Sequence, residues 1–217
     1  MAIQSANPPK RKYDSTRRKA QASATRLQIV EAARKLFFER GYAGATIEAI
    51  AQEAGVATET IYATFGSKNA ILAFLLDISI GGDDQPVRVI DRPRPQEVMR
   101  DTDQGRQLAG FAQGIAQIMQ RAAPVFEVMR IAAKTEPEID QRLKRLLQER
   151  LENLTGFVQH VADNGPLRPG LNIPEAGELI WAQTSPEVFL LLTRDRGWPT
   201  EKYAAWLEES LKRLLLP

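Results

Sequence analysis

The residues best suited to recognising another molecule lie in one short stretch, Thr58 to Lys68, which reads TETIYATFGSK. Read as a helix, it turns Ile61 and Phe65 inward and leaves Thr60, Tyr62, Ala63 and Thr64 on or near the outer side. Such a face presents small and hydrogen-bonding side chains. Hydroxyls donate to phosphate oxygens and make weakly selective contacts with base edges, and a threonine methyl can meet a thymine methyl. Arginine or asparagine would discriminate bases more sharply, and this helix carries neither. Lys68 stands in the first turn of the helix that follows, where its charge opposes the helix dipole. A phosphate there would meet both the ammonium and the free N–H groups. A solvated surface lysine is the other reading, and the chemistry alone does not choose.

These side chains must be positioned by the stretch from Thr46 to Lys68, TIEAIAQEAGVATETIYATFGSK. Thr46 is a candidate N-cap, with Glu48 in the first turn where a negative charge suits the dipole. Ile47, Ile50, Ala51 and Ala54 fall at i, i+3, i+4 and i+7, one face of a helix. Gly55 follows, where a left-handed residue past the helix end favours glycine, and Thr58 is expected to cap the next helix. A helix, a short glycine-containing turn and a second helix make a helix-turn-helix, whose second helix enters the major groove of DNA. An ordinary helical corner carries the same local signals.

Composition narrows the alternatives. A chain of 217 residues suffices for one large domain or two small ones with a substantial core. There is no cysteine, so disulfides, thiolate chemistry and cysteine-ligated metals are excluded; the single histidine, His160, argues against a zinc site or a histidine-dependent triad. No cofactor motif or metal-ligating cluster is visible, and neither is expected. No run approaches the roughly 18 apolar residues of a membrane span. The basic N-terminus is not followed by the apolar run of a secretory signal, so a cytoplasmic location is expected. The net charge is only +2, but residues 1–78 hold 11 Lys+Arg against 7 Asp+Glu, while the remainder is slightly acidic. Seven of those basic residues (Lys10, Arg11, Lys12, Arg17, Arg18, Lys19, Arg26) fall in the first 26 positions, beside the helix-turn-helix, as a phosphate backbone would require.

In chain order, residues 1–22 lack periodicity and read as a mobile basic arm, either tracking phosphates or simply solvated. Residues 23–78 read as the helix-turn-helix domain and a bridging helix. From Thr25, Ile29, Val30, Ala33, Leu36 and Phe37 form an apolar stripe that Gly41 ends. Ser67 caps the bridging helix, whose face is Ile71, Leu72, Leu75 and Ile78. Residues 79–96, rich in Gly, Pro and Asp, read as a flexible linker.

Residues 97–217 read as a larger helical domain. One helix carries Leu108 to Met119 and is expected to end before Pro124, which would open a shorter helix. Pro137 starts another, closed by Asn164-Gly165-Pro166. Pro174 begins one that Pro186 must kink, and Thr200 is expected to cap the last. No alternating strand pattern appears. The expected class is all-α, with about nine helices.

The run from Ile29 to Leu72 resembles the N-terminal domain of TetR-type (tetracycline-repressor-like) bacterial transcriptional regulators. The matching pieces are Ala33-x-x-Leu36-Phe37, Gly41-Tyr42, Thr46-Ile47-x-x-Ile50-Ala51, Ala54-Gly55-Val56, Ile61-Tyr62-x-x-Phe65 and Ser67-Lys68. The chain departs from the family where Ala57 replaces a frequent capping serine, Thr64 a frequent His or Tyr, and Asn69 a frequent acid, so no operator sequence carries over. The resemblance implies that Thr46 and Lys68 contact phosphates and Tyr62 lies along the backbone of the groove. It further implies that Thr58, Thr60 and Thr64, with Ala63 beside them, face bases.

The resemblance also implies that the second domain binds a small effector and forms a homodimer through its last two helices, about Pro174 to Thr193 and Thr200 to Leu216. Large apolar residues there (Trp181, Val188, Phe189, Leu190, Leu191, Leu192, Trp206, Leu211, Leu215) could face a second subunit or fill a one-chain core. Phe111, Met119, Phe126, Met129, Trp181 and Phe189 could line an apolar effector pocket or be plain core, with Arg130 and His160 as candidate polar anchors. The expected function is a repressor that binds a palindromic double-stranded DNA operator as a dimer and is released by a small, lipophilic effector. The competing reading is a helical enzyme or interaction module whose helix-turn-helix-like corner does not bind DNA. No nucleophile–base pair, paired carboxylates or phosphate loop supports the enzyme.

Overall fold

The computed structural model describes residues 15–217, with side chains from residue 18 onward. Residues 1–14 of the expected arm, with Lys10, Arg11 and Lys12, lie outside the described residues. Every described element is helical: α1 Ser15–Gly44, α2 Ile47–Ala54, α3 Thr58–Phe65, α4 Lys68–Gly81, α5 Pro93–Arg100, α6 Gln104–Ala133, α7 Pro137–Asp163, α8 Ile173–Gln183, α9 Pro186–Leu190 and α10 Thr200–Leu215. The all-α class expected from periodicity is the one observed. Among the described residues no single helix is long and apolar enough to cross a membrane.

α1 begins ten residues before the expected Thr25, so residues 15–22 are helical rather than part of a free arm. Alanine, arginine, lysine and glutamine in that stretch favour a helix intrinsically, but they carry no apolar stripe for a periodicity argument to find. The stripe that was expected is met in full: Ile29, Val30, Ala33, Leu36 and Phe37 are all buried. Gly41, at φ +69°, kinks the helix where its end was expected.

The helix-turn-helix forms as its local signals require. The Thr46 hydroxyl accepts the Ala49 N–H at 3.1 Å, and Ile50, Ala51 and Ala54 are buried. Gly55 takes the left-handed conformation (φ 64°, ψ 34°) that closes α2 and that any side chain would strain. Thr58 does not cap α3; it is the first helical residue, and Ala57 occupies the cap without a side-chain bond. A residue already in helical φ/ψ cannot reach back to the orphan N–H groups. Ser67 caps α4 as expected, its hydroxyl accepting the Ala70 N–H at 3.1 Å.

Beyond α4 four corrections stand out. The expected linker is held in place: Arg92 makes a bidentate pair with Asp83 (2.7 and 2.8 Å), the Ser23 hydroxyl donates to Asp84, and α5 already starts at Pro93. α6 runs through Pro124 without ending. The carbonyl that Pro124 leaves unbonded belongs to Gln120, on the exposed side, where it can tilt toward solvent. Buried Ala122, Ala123, Val125 and Phe126 hold the helix together on the other side. At Pro186 the opposite happens, and the expected kink is a break: Ser185, extended at ψ 148° as a residue before proline prefers, caps a new helix by accepting the Val188 N–H. Thr200 likewise is the first residue of α10, with Pro199 at the cap position.

Two apolar cores result. The first joins α1–α4 to the second half of α6 and the start of α7, through Ala122, Val125, Phe126, Met129, Ile139 and Leu143. The second joins the first half of α6 to the later part of α7 and to α8, α9 and α10, with Leu108, Met119, Phe157, Ile180, Tyr203 and Leu211 among its members. One helix, α6, therefore crosses both cores.

Candidate nucleic-acid interface and internal cavity

The outer face of α3 carries the residues read from the sequence. Tyr62 is 52% exposed and Ala63 is exposed, while Thr58, Thr60 and Thr64 are half-buried; Thr46 stands exposed at the start of α2. The Thr64 hydroxyl donates to the Thr60 carbonyl at 2.7 Å, which leaves its methyl and a lone pair for an outside partner. The extra length of α1 completes a concave surface that sequence reasoning missed. Arg18, Lys19, Ser23 and Arg26 line it together with Thr60, Ala63 and Thr64. Arg26 lies over the rings of Phe65 and Phe74, at 5.8 and 5.3 Å from their centroids, and this stacking fixes its charge beside α3. The signal was present: Arg18, Ala22 and Arg26 repeat every four residues, a helical face visible once residues 15–25 are read as helix.

Lys68 is half-buried and has a structural partner. Its ammonium donates to the Tyr42 carbonyl at 2.8 Å and sits 4.1 Å from the Tyr42 ring centroid. It thereby ties the end of α1 to the start of α4. Partial burial lowers its pKa, and burial pushes the Tyr42 phenol up to about 12. Of three ammonium N–H groups, the carbonyl takes one.

The second site is a cavity of about 430 Å³ between α5, α6 and α7, within the range of small-molecule pockets. Of the expected lining residues, Phe111, Met119 and Phe126 border it; Phe111 stacks on Phe157 at 4.1 Å between centroids. Met129, Trp181 and Phe189 do not border it. Met129 is fully buried in the first core, Phe189 packs edge-on to Tyr203 at 4.9 Å, and the Trp181 indole N–H donates to the Leu147 carbonyl under the Arg150 guanidinium. Arg130 pairs with Glu187, and His160 is exposed with Nδ1 2.9 Å from the Gly156 carbonyl, so neither of these candidate anchors reaches the cavity. Further lining residues come from the supposed linker (Val89, Ile90), from α5 (Arg94, Val98, Met99) and from α7 (Arg150, Leu154); helical spacing marks Leu154 as apolar-face but does not say what it faces. Burial draws the Arg150 guanidinium down to about 10.

The expected dimer face is mixed. Phe189, Leu211 and Leu215 are buried within the chain itself, whereas Trp181, Val188, Leu190, Leu192 and Trp206 are half-buried and Leu191 is 54% exposed.

A three-helix unit with a small-residue, hydroxyl-bearing second helix, carried on a larger helical body with a cavity, is the architecture of a helix-turn-helix domain joined to a second helical part. More particularly, residues 29–74, the segment that holds the helix-turn-helix, match the family model "Bacterial regulatory proteins, tetR family". Over 61 residues the chain is 44% identical to the HTH-type transcriptional regulator TtgR of Pseudomonas putida, a match that covers 28% of this chain and 29% of that protein. The chain thus spans under a third of that curated relative's length. Over most of its length it shares the fold of the TetR family transcriptional regulator PfmR of Thermus thermophilus (TM-score 0.66, 22% identity, 87% of this chain and 99% of that one). It also shares the fold of FadR of Bacillus subtilis, solved in complex with stearoyl-CoA (TM-score 0.63, 24% identity, 85% and 96%).

Proposed function

We propose that this chain is a transcriptional repressor, not an enzyme: it binds a palindromic operator as a homodimer and is released by a small molecule held in the α5–α6–α7 cavity. The observation that carries the reading is the surface of α3, where Thr60, Ala63 and Thr64 adjoin the cations of α1 and Tyr62 stands exposed on the same helix. Thr58, Thr60, Ala63 and Thr64 face base edges, Tyr62 lies along the backbone, and Thr46 and Lys68 meet phosphates, Lys68 through the N–H groups that Tyr42 leaves free. A second copy, joined through α8 to α10, sets two recognition helices about one turn of DNA apart.

The cavity has a short path to the DNA-binding helices. Arg88, Val89 and Ile90 border it, and the same loop holds Asp84, which accepts the Ser23 hydroxyl of α1 at 2.6 Å. Arg121 of α6 donates to the Ser79 carbonyl near the end of α4 at 3.0 Å. A ligand that moves this loop therefore biases α1 and α4, and with them the spacing of the recognition helices.

Binding to the DNA upstream of its own gene, measured by fluorescence anisotropy with competitor across a salt series, tests the reading. A saturable complex of one dimer per site is expected, its affinity falling with a log–log slope of about −0.9 per phosphate neutralised. Absence of any DNA affinity at low salt overturns it. Sedimentation equilibrium tests the homodimer separately.

A further inference from the structure

The walls of the cavity are apolar except for a few charged groups, and two of these are arginines held only by neutral acceptors. Arg94 of α5 donates to the Gln117 and Gln113 side-chain oxygens at 2.7 and 3.0 Å. Arg150 of α7, largely buried, sends one N–H from each terminal nitrogen to the Trp181 carbonyl (3.1 Å each) and another to the Thr184 hydroxyl. A guanidinium has five N–H groups, so two on Arg150 have no acceptor among the described residues. The nearby Glu187 favours the Arg150 charge from a distance but is itself paired with Arg130, and among the described residues no carboxylate makes an ion pair with Arg150. The end of α8, at Trp181, contributes only the partial negative charge of a helix C-terminus. Close by, the Tyr203 hydroxyl is buried without a hydrogen-bond partner. Glu149 and the Arg88–Asp91 pair complete the charged groups about the cavity.

A buried charge without a counter-ion is costly, and a bound carboxylate would supply one through charge-assisted hydrogen bonds. At roughly 30 Å³ per non-hydrogen atom, the volume that a water molecule takes in the liquid, the cavity holds on the order of fourteen such atoms. We propose that the cavity binds an amphipathic monocarboxylate of medium chain length, its head anchored on Arg150 and its chain lying against Phe111, Met119 and Phe157. The proposal deepens the effector reading above and rests on the cavity being the effector site.

The test uses the whole chain without DNA, with tryptophan fluorescence as the signal, Trp181 lying under the Arg150 guanidinium. Decanoate is titrated against decan-1-ol, a neutral probe of matched length. Wild type should bind decanoate at least tenfold more tightly, and Arg150→Met should reduce that preference to threefold or less while leaving decanol affinity unchanged. Equal binding of the two probes by wild type overturns the proposal without recourse to any variant. Selectivity that survives in Arg150→Met but disappears in Arg94→Gln overturns the assignment of the head group. Because DNA is absent, these outcomes do not depend on the regulator reading. Selective decanoate binding that fails to release an operator complex would leave the ligand assignment standing and count against the cavity as the switch.

Discussion

Truncating Phe126 tests whether the DNA-binding helices and the cavity share one support. The ring is 1% exposed, belongs to the core that includes α1–α4, and also borders the cavity. Phe→Ala substitutions in cores cost about 3–5 kcal/mol; the lower end, about 3 kcal/mol, is expected at a residue that borders the cavity. Against a total stability of about 5–15 kcal/mol that is a large fraction. At about 2–4 °C per kcal/mol for a chain of this size, Tm should fall by roughly 6–12 °C. Urea unfolding followed by circular dichroism gives the free energy, and amide hydrogen exchange reports where it is lost. Protection at Ile50 and Ile61, far from Phe126 in sequence, should drop together with protection in α6. A loss below about 1 kcal/mol, or unchanged protection in α2 and α3, would refute the shared core.

Other outcomes follow from single contacts. Tyr62→Ala should weaken operator binding about tenfold while moving stability by less than about 0.5 kcal/mol, as for an exposed side chain; parallel anisotropy and thermal melts check both halves. Gly177→Ala should destabilise by more than about 1 kcal/mol in urea unfolding, because the new Cβ would lie 2.4 Å from the Thr155 hydroxyl and 3.2 Å from its Cα, and that hydroxyl is committed to the Leu151 carbonyl. The Arg92 guanidinium lowers the Asp83 carboxyl to about 2, below its unfolded value of about 3.9. The pair's contribution is therefore complete above about pH 4 and fades as pH falls from about 4 to about 2. Hydrogen exchange in residues 82–92 should accelerate across that window, and Asp83→Asn should show the faster exchange already at neutral pH.

The helix-turn-helix was legible in the sequence because each of its signals is local. A cap at Thr46, a glycine at Gly55 and an apolar residue every third or fourth position each act within one or two helical turns. Those residues take the same conformation whatever lies around them, and the α3 face that they position was read before any packing was known. Local reading failed where two neighbours compete or where the deciding contact is distant. Pro124 and Pro186 carry the same backbone constraint, yet one is absorbed and the other breaks its helix. The difference lies in what flanks them: buried residues of the shared core before and after Pro124, and an extended, hydroxyl-bearing Ser185 before Pro186.

The cavity shows the same division. Part of its apolar wall, Phe111, Met119 and Phe126, follows from apolar spacing, although the sequence reading placed Phe126 on a separate helix. Met129 and Phe189 share that spacing and are plain core, since periodicity says which face is buried but not against what. Arg94 and Arg150 lie far apart in the chain and come to the cavity only when α5 and α7 pack on α6. By itself, then, the sequence determined the helix-turn-helix and the all-α class, both products of short-range hydrogen bonding and amphipathic spacing. Only the tertiary structure decided which apolar faces close into core and which leave a cavity, and that Arg150 is largely buried with no carboxylate paired to it among the described residues. Those outcomes depend on side-chain volumes and charges brought together from distant segments.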